Sequence, residues 1–281
     1  MIDKKYLKKT YKKAIDRTIV LSVAILFIFF SFVGNASAKS AFILSVAHEN
    51  PEEAHWQEIL ASNLYWLFRY NGYTAYNYHN DTYLFTVYYV AGAYQENYFA
   101  ITFYIGHGSY YIDDHWIYHY YISTLDSYAY DYRIYDHTYA KKNHLIFMWS
   151  CHQGKEVGGI IYGEVHGQPY AWTRTYLGYY GYWIPDGSTY VFIGFKEEAP
   201  LITRTIEGVD KAGYQFIWYF FAFATAWYED NSIRYSLDLA AKYVWRKNIT
   251  WDQSPLFTDF HMWVYGDSSL VLNDLPGGDT L

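Results

Sequence analysis

Four short runs of almost unbroken apolar residues set the tightest limit on what this chain can fold into: Ala41 to Val46, Tyr98 to Ile105, His144 to Ser150 and Tyr190 to Phe195. A strand with one wet face alternates apolar and polar residues. A strand that is apolar at nearly every position is covered on both faces, the usual condition in a mostly parallel sheet between helical layers. The segments between these runs supply the helices. Asn50 is a good N-cap, Pro51 suits the first helical position, and Glu52 and Glu53 suit the positive end of the dipole. Trp56, Ile59, Leu60, Leu64 and Leu67 then recur at helical spacing, and Gly72 stands just past the end. Tyr73 to Tyr78 reads as a further strand, and Thr82 to Tyr94 as a crossover that is either helix or hairpin.

The polar, tyrosine-rich stretch after residue 108 is expected to hold a helix from about Ser123 to Lys141. Pro185-Asp186-Gly187 marks a turn before the fourth run. Gln215 to Trp227 is apolar but too short to cross a bilayer comfortably, and so reads as a buried helix. Ser232 caps a last helix with Ile233, Leu237, Ala240, Ala241 and Val244 along one face. No period of 20 to 50 residues repeats, which argues against a solenoid. The expected fold is α/β: a three-layer sandwich with a mostly parallel central sheet and helices on both faces.

A chain of 281 residues, 52% of them hydrophobic, can build one sizeable core. Its N-terminus has a targeting layout: a lysine-rich stretch, an apolar run from Thr18 to Val33, and Ala36-Ser37-Ala38 as a small-residue cleavage site before Lys39. Residues 1–38 are therefore expected to be a signal peptide, or an N-terminal membrane anchor through 18–33, with one domain over 39–281. Secretion or display at the cell surface follows, with the membrane touched only through an uncleaved anchor. No long propeptide separates Ala38 from the first strand, so activation by removal of an N-terminal segment is not expected. The formal charge is −7, and the first 38 residues carry seven basic side chains against two acidic ones, so the remainder is more acidic still. Such a body repels phosphate backbones, and nucleic acid is not an expected partner.

An exported chain with a single cysteine cannot use it for an internal disulfide. Cys151 stands directly after the third apolar run, and Gln153-Gly154 and Gly158-Gly159 give it a flexible setting. The second run leads straight into Gly106-His107-Gly108. Two buried strands thus each deliver one reactive side chain at the carboxyl end, the edge at which open α/β sheets bind ligands.

These residues resemble the caspase-like cysteine peptidases of clan CD, and the gingipain-type branch most closely. Three features carry the resemblance over about residues 41 to 273. A hydrophobic strand ends in His107-Gly108, and a later one ends in Ser150-Cys151, 44 residues on from the histidine. Tyr265-Gly266-Asp267-Ser268-Ser269-Leu270 is similar to the segment that closes gingipain-type catalytic domains, with Ser268 where proline is usual. The resemblance implies a caspase-like fold and a Cys151–His107 dyad. It also implies an oxyanion hole built from the backbone N–H groups of Gly108 and Cys151.

The chemistry wants these residue types. A thiol with a pKa of about 8.5 is only slightly ionised at neutral pH and needs a base, which His107 can supply before protonating the leaving amine. The expected activity is hydrolysis of peptide bonds in protein or peptide substrates through a thioester. A silent caspase-like domain, or an aromatic-rich surface-binding module, is the alternative. Papain-like enzymes place cysteine before histidine, the reverse of the order here. Sortases share the order, but their Thr-Leu-X-Thr-Cys strand and barrel pattern are missing.

Several residues stay open at this level. Asp126 and Asp131 are the candidates for orienting His107, though a solvated acidic face is the commoner role for either. His152 should point away from Cys151 if strand geometry persists. Glu156, Glu164 and Asp186 are candidate pocket residues that would select arginine or lysine. His115 and His119, four apart beside Asp113 and Asp114, have a spacing that could hold zinc on a helix, but without a third well-placed ligand they read as an exposed loop. No metal or other cofactor is expected. The 36 tyrosines and 11 tryptophans could stack on sugars, but their scatter reads as compositional bias. Asn80-Asp81-Thr82 and Asn248-Ile249-Thr250 match the glycosylation sequon.

Overall fold

The computed structural model describes residues 39–92, 99–138, 143–174, 190–226 and 229–272. The apolar run at 18–33, the cleavage site at 36–38 and the turn at 185–187, with Asp186, lie outside them. Among the described residues no helix is long and apolar enough to cross a membrane.

The apolar runs form the strands expected of them. β1 (Lys39–Ser45), β2 (Thr74–His79), β3 (Phe99–Ile105), β7 (Asn143–Trp149) and β10 (Tyr190–Phe195) are parallel, and β11 (Met262–Gly266) closes one edge antiparallel to β10, in the order β11-β10-β7-β3-β1-β2. Side chains alternate between two separate cores. Ile43, Phe103, Phe147 and Ile193 stand opposite one another across four strands and are fully buried on one face. That face is covered by α1 (Pro51–Tyr70), α5 (Ala212–Ala224) and α6 (Ile233–Trp245), through Leu60, Leu64, Phe216, Phe220 and Leu237 among others. Phe42, Tyr104, Met148 and Phe192 point the other way, against α2 (Leu84–Gly92), α3 (Asp131–His137) and α4 (Gln168–Thr173). The molecule is the three-layer α/β sandwich that the sequence predicts.

Local signals explain the element ends. The Asn50 side chain accepts from the N–H groups of Glu52 and Glu53, with Pro51 at the first helical position of α1. The crossover left open in the sequence is helical, as α2. At α6 the Ser232 hydroxyl accepts from Tyr235 N–H, and the carbonyls of Leu270 and Ser268 accept from Ile233 and Arg234 N–H. The Gly-Asp-Ser-Ser-Leu segment thus satisfies donors that a helix start leaves unpaired. Asp267 shapes its turn by accepting from Ser269 N–H.

Two regions differ from expectation. The helix foreseen from Ser123 to Lys141 is only α3. The residues before it form an antiparallel sheet, β4 (Gly108–Ile112), β5 (Tyr118–Ser123) and β6 (Tyr128–Tyr130). Tyrosine favours strands because its ring packs across a pleated surface, and Tyr110, Tyr118, Tyr120, Tyr121, Tyr128 and Tyr130 do so here. The second is a small hairpin, β8 (Gly159–Ile161) and β9 (Glu164–His166). Tyr162 and Gly163 join it with φ of 52° and 85°, the positive pair of a type I′ turn.

Candidate active site at the carboxyl edge of the sheet

The chain after β1 leads to α1 on one face, whereas the chain after β3 leads to the opposite layer, so the order of the sheet reverses between these neighbours. Ligands bind at the carboxyl ends of strands at such a switch point. Three residues leave that edge on adjacent strands: His48 three residues past β1, His107 two past β3, and Cys151 two past β7.

The pairing places the last two side by side. Ile105 stands opposite Trp149, so the register offset between β3 and β7 equals the 44-residue spacing from His107 to Cys151. The ladder continues one step beyond the strands through Gly106 N–H to Trp149 C=O, at 3.4 Å. Neighbouring strands lie about 4.8 Å apart, so the two residues start from adjacent backbone positions on one rung.

His107 is exposed and Cys151 half-buried. The turn bearing His107 is held from below by the buried Tyr104, whose hydroxyl lies 3.0 Å from the His107 carbonyl and 2.8 Å from that of Ser123. The His48 and His107 rings pack at 4.9 Å between centroids. His48 is itself fixed: its Nδ1 accepts from Asn50 N–H at 2.9 Å, and its own N–H donates to Gln57 Oε1 at 3.1 Å. Nothing in the sequence reading singled out His48. Its position just past the first apolar run, the same place that drew notice to His107 after the second, was the available signal.

Cys151 begins a turn whose far side is the loop after β10. His152 N–H donates to Glu197 C=O, Gly154 N–H to Phe195 C=O, and Gln153 Nε2 to Cys151 C=O at 2.7 Å. Burial pushes the Cys151 thiol above its ordinary pKa and the Glu198 carboxylate adds to this, while the Ala199 N–H works against it. His152 has a φ of 64°, so strand geometry has already ended there. Its ring lies edge-on to Tyr110 at 5.1 Å, and its Nδ1 is 3.3 Å from Lys196 C=O.

Gly108 opens β4 opposite Ile122. Ser123 N–H bonds to His107 C=O and Asp113 N–H to Ile117 C=O, so odd-numbered residues of β4 form the hydrogen-bonded pairs. The N–H of Gly108 therefore points away from β5. Packing inside the protein itself demands glycine at this position. A Cβ there would collide with Ser150 Oγ and Gln153 Nε2 and stand 2.8 Å from the Cys151 carbonyl oxygen.

The candidate orienting carboxylates are engaged elsewhere. Asp126 Oδ1 accepts from Leu84 N–H at 2.8 Å and the Thr124 hydroxyl at 3.0 Å. Asp131 is not on a solvated face: it is fully buried and accepts from the N–H groups of Tyr120, Tyr132 and Gly167. Of the candidate pocket residues, Glu156 and Glu164 lie among the described residues, and they face different partners. Glu156 accepts from Tyr120 Oη at 2.6 Å and lies 3.9 Å from His166 Nδ1. Burial raises its pKa, but hydrogen bonds from His166 and Tyr120 outweigh this and keep the carboxyl below its ordinary value. Glu164 belongs instead to a cavity of about 550 Å³ lined by Tyr111, His119, Tyr132, Arg133 and Ile160 among others. His119, read as an exposed loop residue, is buried on β5.

No known family model and no curated protein matches the chain. Among solved structures it is similar to a protein of Geobacter sulfurreducens, at 14% identity and a TM-score of 0.37, covering 55% of this chain and 71% of that one. It is similar to a protein described as a protease at 15% identity and a TM-score of 0.47, covering 84% of this chain but only about half (49%) of that one. It is also similar to caspase-1 of Spodoptera frugiperda, at 10% identity and a TM-score of 0.42, covering 86% of this chain and 93% of that one.

Proposed function

We propose that this chain is an exported, caspase-like cysteine endopeptidase of the gingipain type, with Cys151 as nucleophile and His107 as general base. The observation that carries the reading is the shared rung. The 44-residue spacing equals the register offset of two adjacent parallel strands, so both groups emerge side by side at the sheet edge that binds ligands.

The steps follow from the chemistry of the two side chains. Burial keeps the thiol protonated, so a resting thiolate–imidazolium pair is disfavoured and base catalysis during attack is favoured. Cys151 Sγ bonds to the scissile carbonyl carbon as His107 takes the thiol proton. The oxyanion accepts hydrogen bonds from the N–H groups of Gly108 and Cys151, the former directed away from its own sheet. The carbon–nitrogen bond then breaks, and His107 returns the proton to the leaving amine. Water, deprotonated by His107, attacks the thioester and releases the acid and the thiol. His48 acts as a positioning residue, its ring restricting that of His107. Glu156, ionised at neutral pH, is the candidate for selecting arginine or lysine before the scissile bond.

The test is cleavage of a positional peptide library by the chain from Lys39, beside Cys151→Ala and His48→Ala. Cleavage is expected to vanish in the first and to fall about 10- to 100-fold in kcat in the second, the usual cost of misplacing a catalytic group by about 1 Å. Undiminished cleavage by Cys151→Ala would remove the thiol from the mechanism.

A further inference from the structure

Away from the Cys–His edge, the β4–β5 and β8–β9 hairpins bring three ligand-type atoms to one point. His119 Nε2 lies 3.5 Å from Asp113 Oδ2 and 3.5 Å from Glu164 Oε2, and the three atoms fit within 4.8 Å of one another. These distances are longer than the 2.7–3.2 Å of an N–H···O hydrogen bond. They match the separation of about 3.4 Å between ligands bound at about 2.1 Å to one tetrahedral ion. The His119 side chain is 97% buried (3% exposed), and its Nε2 faces both carboxylates over contacts long for a hydrogen bond.

We propose that Asp113, His119 and Glu164 form a binding site for a divalent first-row cation of the zinc class. Each ligand is held by its surroundings. Asp113 Oδ1 accepts from the N–H groups of His115 and Ile117 at 2.9 and 2.8 Å, which leaves Oδ2 facing His119. The other nitrogen of His119, Nδ1, lies 3.4 Å from Asp131 Oδ1, and Asp131 is fully buried and anchored by three backbone N–H groups. A carboxylate behind a ligating histidine fixes which nitrogen carries the proton and directs the other at the metal. Glu164 comes from the separate hairpin and stays half-exposed, on the wall of the 550 Å³ cavity. That opening gives the ion an entry path and leaves a fourth position to water or to the exposed His115, whose Nδ1 is 3.7 Å from Asp113 Oδ2.

Imidazole with carboxylates suits zinc and its neighbours, whereas calcium and magnesium take oxygen ligands alone. A bound ion would join the β8–β9 hairpin to the one that starts at Gly108, beside His107. This inference does not depend on the peptidase reading.

Tag-free Cys151→Ala protein stripped with a chelator would be titrated with zinc by calorimetry, and its thermal midpoint followed. One ion per chain is expected to bind, with a rise in the midpoint as the native state is selectively occupied. Glu164→Gln, altered at a half-exposed side chain and checked for fold by circular dichroism, is expected to bind more than about 100-fold more weakly, beyond the loss typical of removing an outer-shell partner. His107→Ala is expected to bind as the parent does. Absence of saturable binding, or equal affinity in Glu164→Gln, would overturn the site and leave a metal-free ion-pair cluster. Loss of binding in His107→Ala alone would place the ion at the Cys–His edge and overturn it too.

Discussion

A thiol described only as the single cysteine of the chain would be read as a passive, buried residue. Its neighbours set how it titrates. Burial raises the Cys151 pKa, Glu198 adds to the rise and the Ala199 N–H opposes it. For a cysteine the protonated form is neutral, so a folded pKa above the unfolded one stabilises the protein below the unfolded value, about 8.5, and that contribution is lost as pH climbs through the folded pKa. Alkylation by iodoacetamide at pH 7 should therefore be slower than that of a free thiol and need a higher pH to accelerate. Glu198→Gln should shift that profile to lower pH; an unchanged profile would remove Glu198 as a cause. Asp131 shows how a residue's type can mislead. An aspartate amid tyrosines suggests a wet surface, yet its two oxygens accept from three N–H groups and hold β5, α3 and the start of α4 together.

At the scale of elements, the strands and α1 were legible because their signals are local: unbroken apolar runs for doubly covered strands, and the Asn-Pro-Glu-Glu start for the helix. The Asn50 cap is worth testing because it closes a helix directly beside the site. Asn50→Ala should cost about 1 kcal/mol in chemical denaturation, the usual value for a lost N-cap. It should leave His48 oriented, since the donor to that ring is the Asn50 backbone N–H and survives the substitution. A loss below about 0.3 kcal/mol would mean that the cap contributes little. The β4–β6 sheet was misread as loop and helix because tyrosine counts as both polar and strand-forming, and nothing within a few residues settles which property prevails. Packing between rings on neighbouring strands does settle it.

At the scale of the molecule, two cores on opposite faces of one sheet explain the need for near-continuous apolar strands. Phe147 sits at the centre of one core, packed on Phe103, Trp149, Phe220 and Phe221, and so ties β3 and β7 to α5. Phe147→Ala should destabilise the fold by about 3–5 kcal/mol in denaturant titration. Stability within 1 kcal/mol of the parent would contradict so central a place. The same strand leads to Cys151 two residues past its end, so loosening this core should also disorder the site.

The sequence by itself determined the layered α/β architecture, the parallel strands and the shared exit of His107 and Cys151, because apolar periodicity and strand ends are written in consecutive residues. Only the tertiary structure decided that His48 packs on His107 and that Asp126 and Asp131 serve other partners. It alone brought Glu164 across from a separate hairpin to meet Asp113 and His119. The His48–His107 contact joins residues 59 positions apart (107 − 48) and the His119–Glu164 contact residues 45 apart (164 − 119), and their partners are chosen by sheet order and hairpin packing rather than by any local pattern.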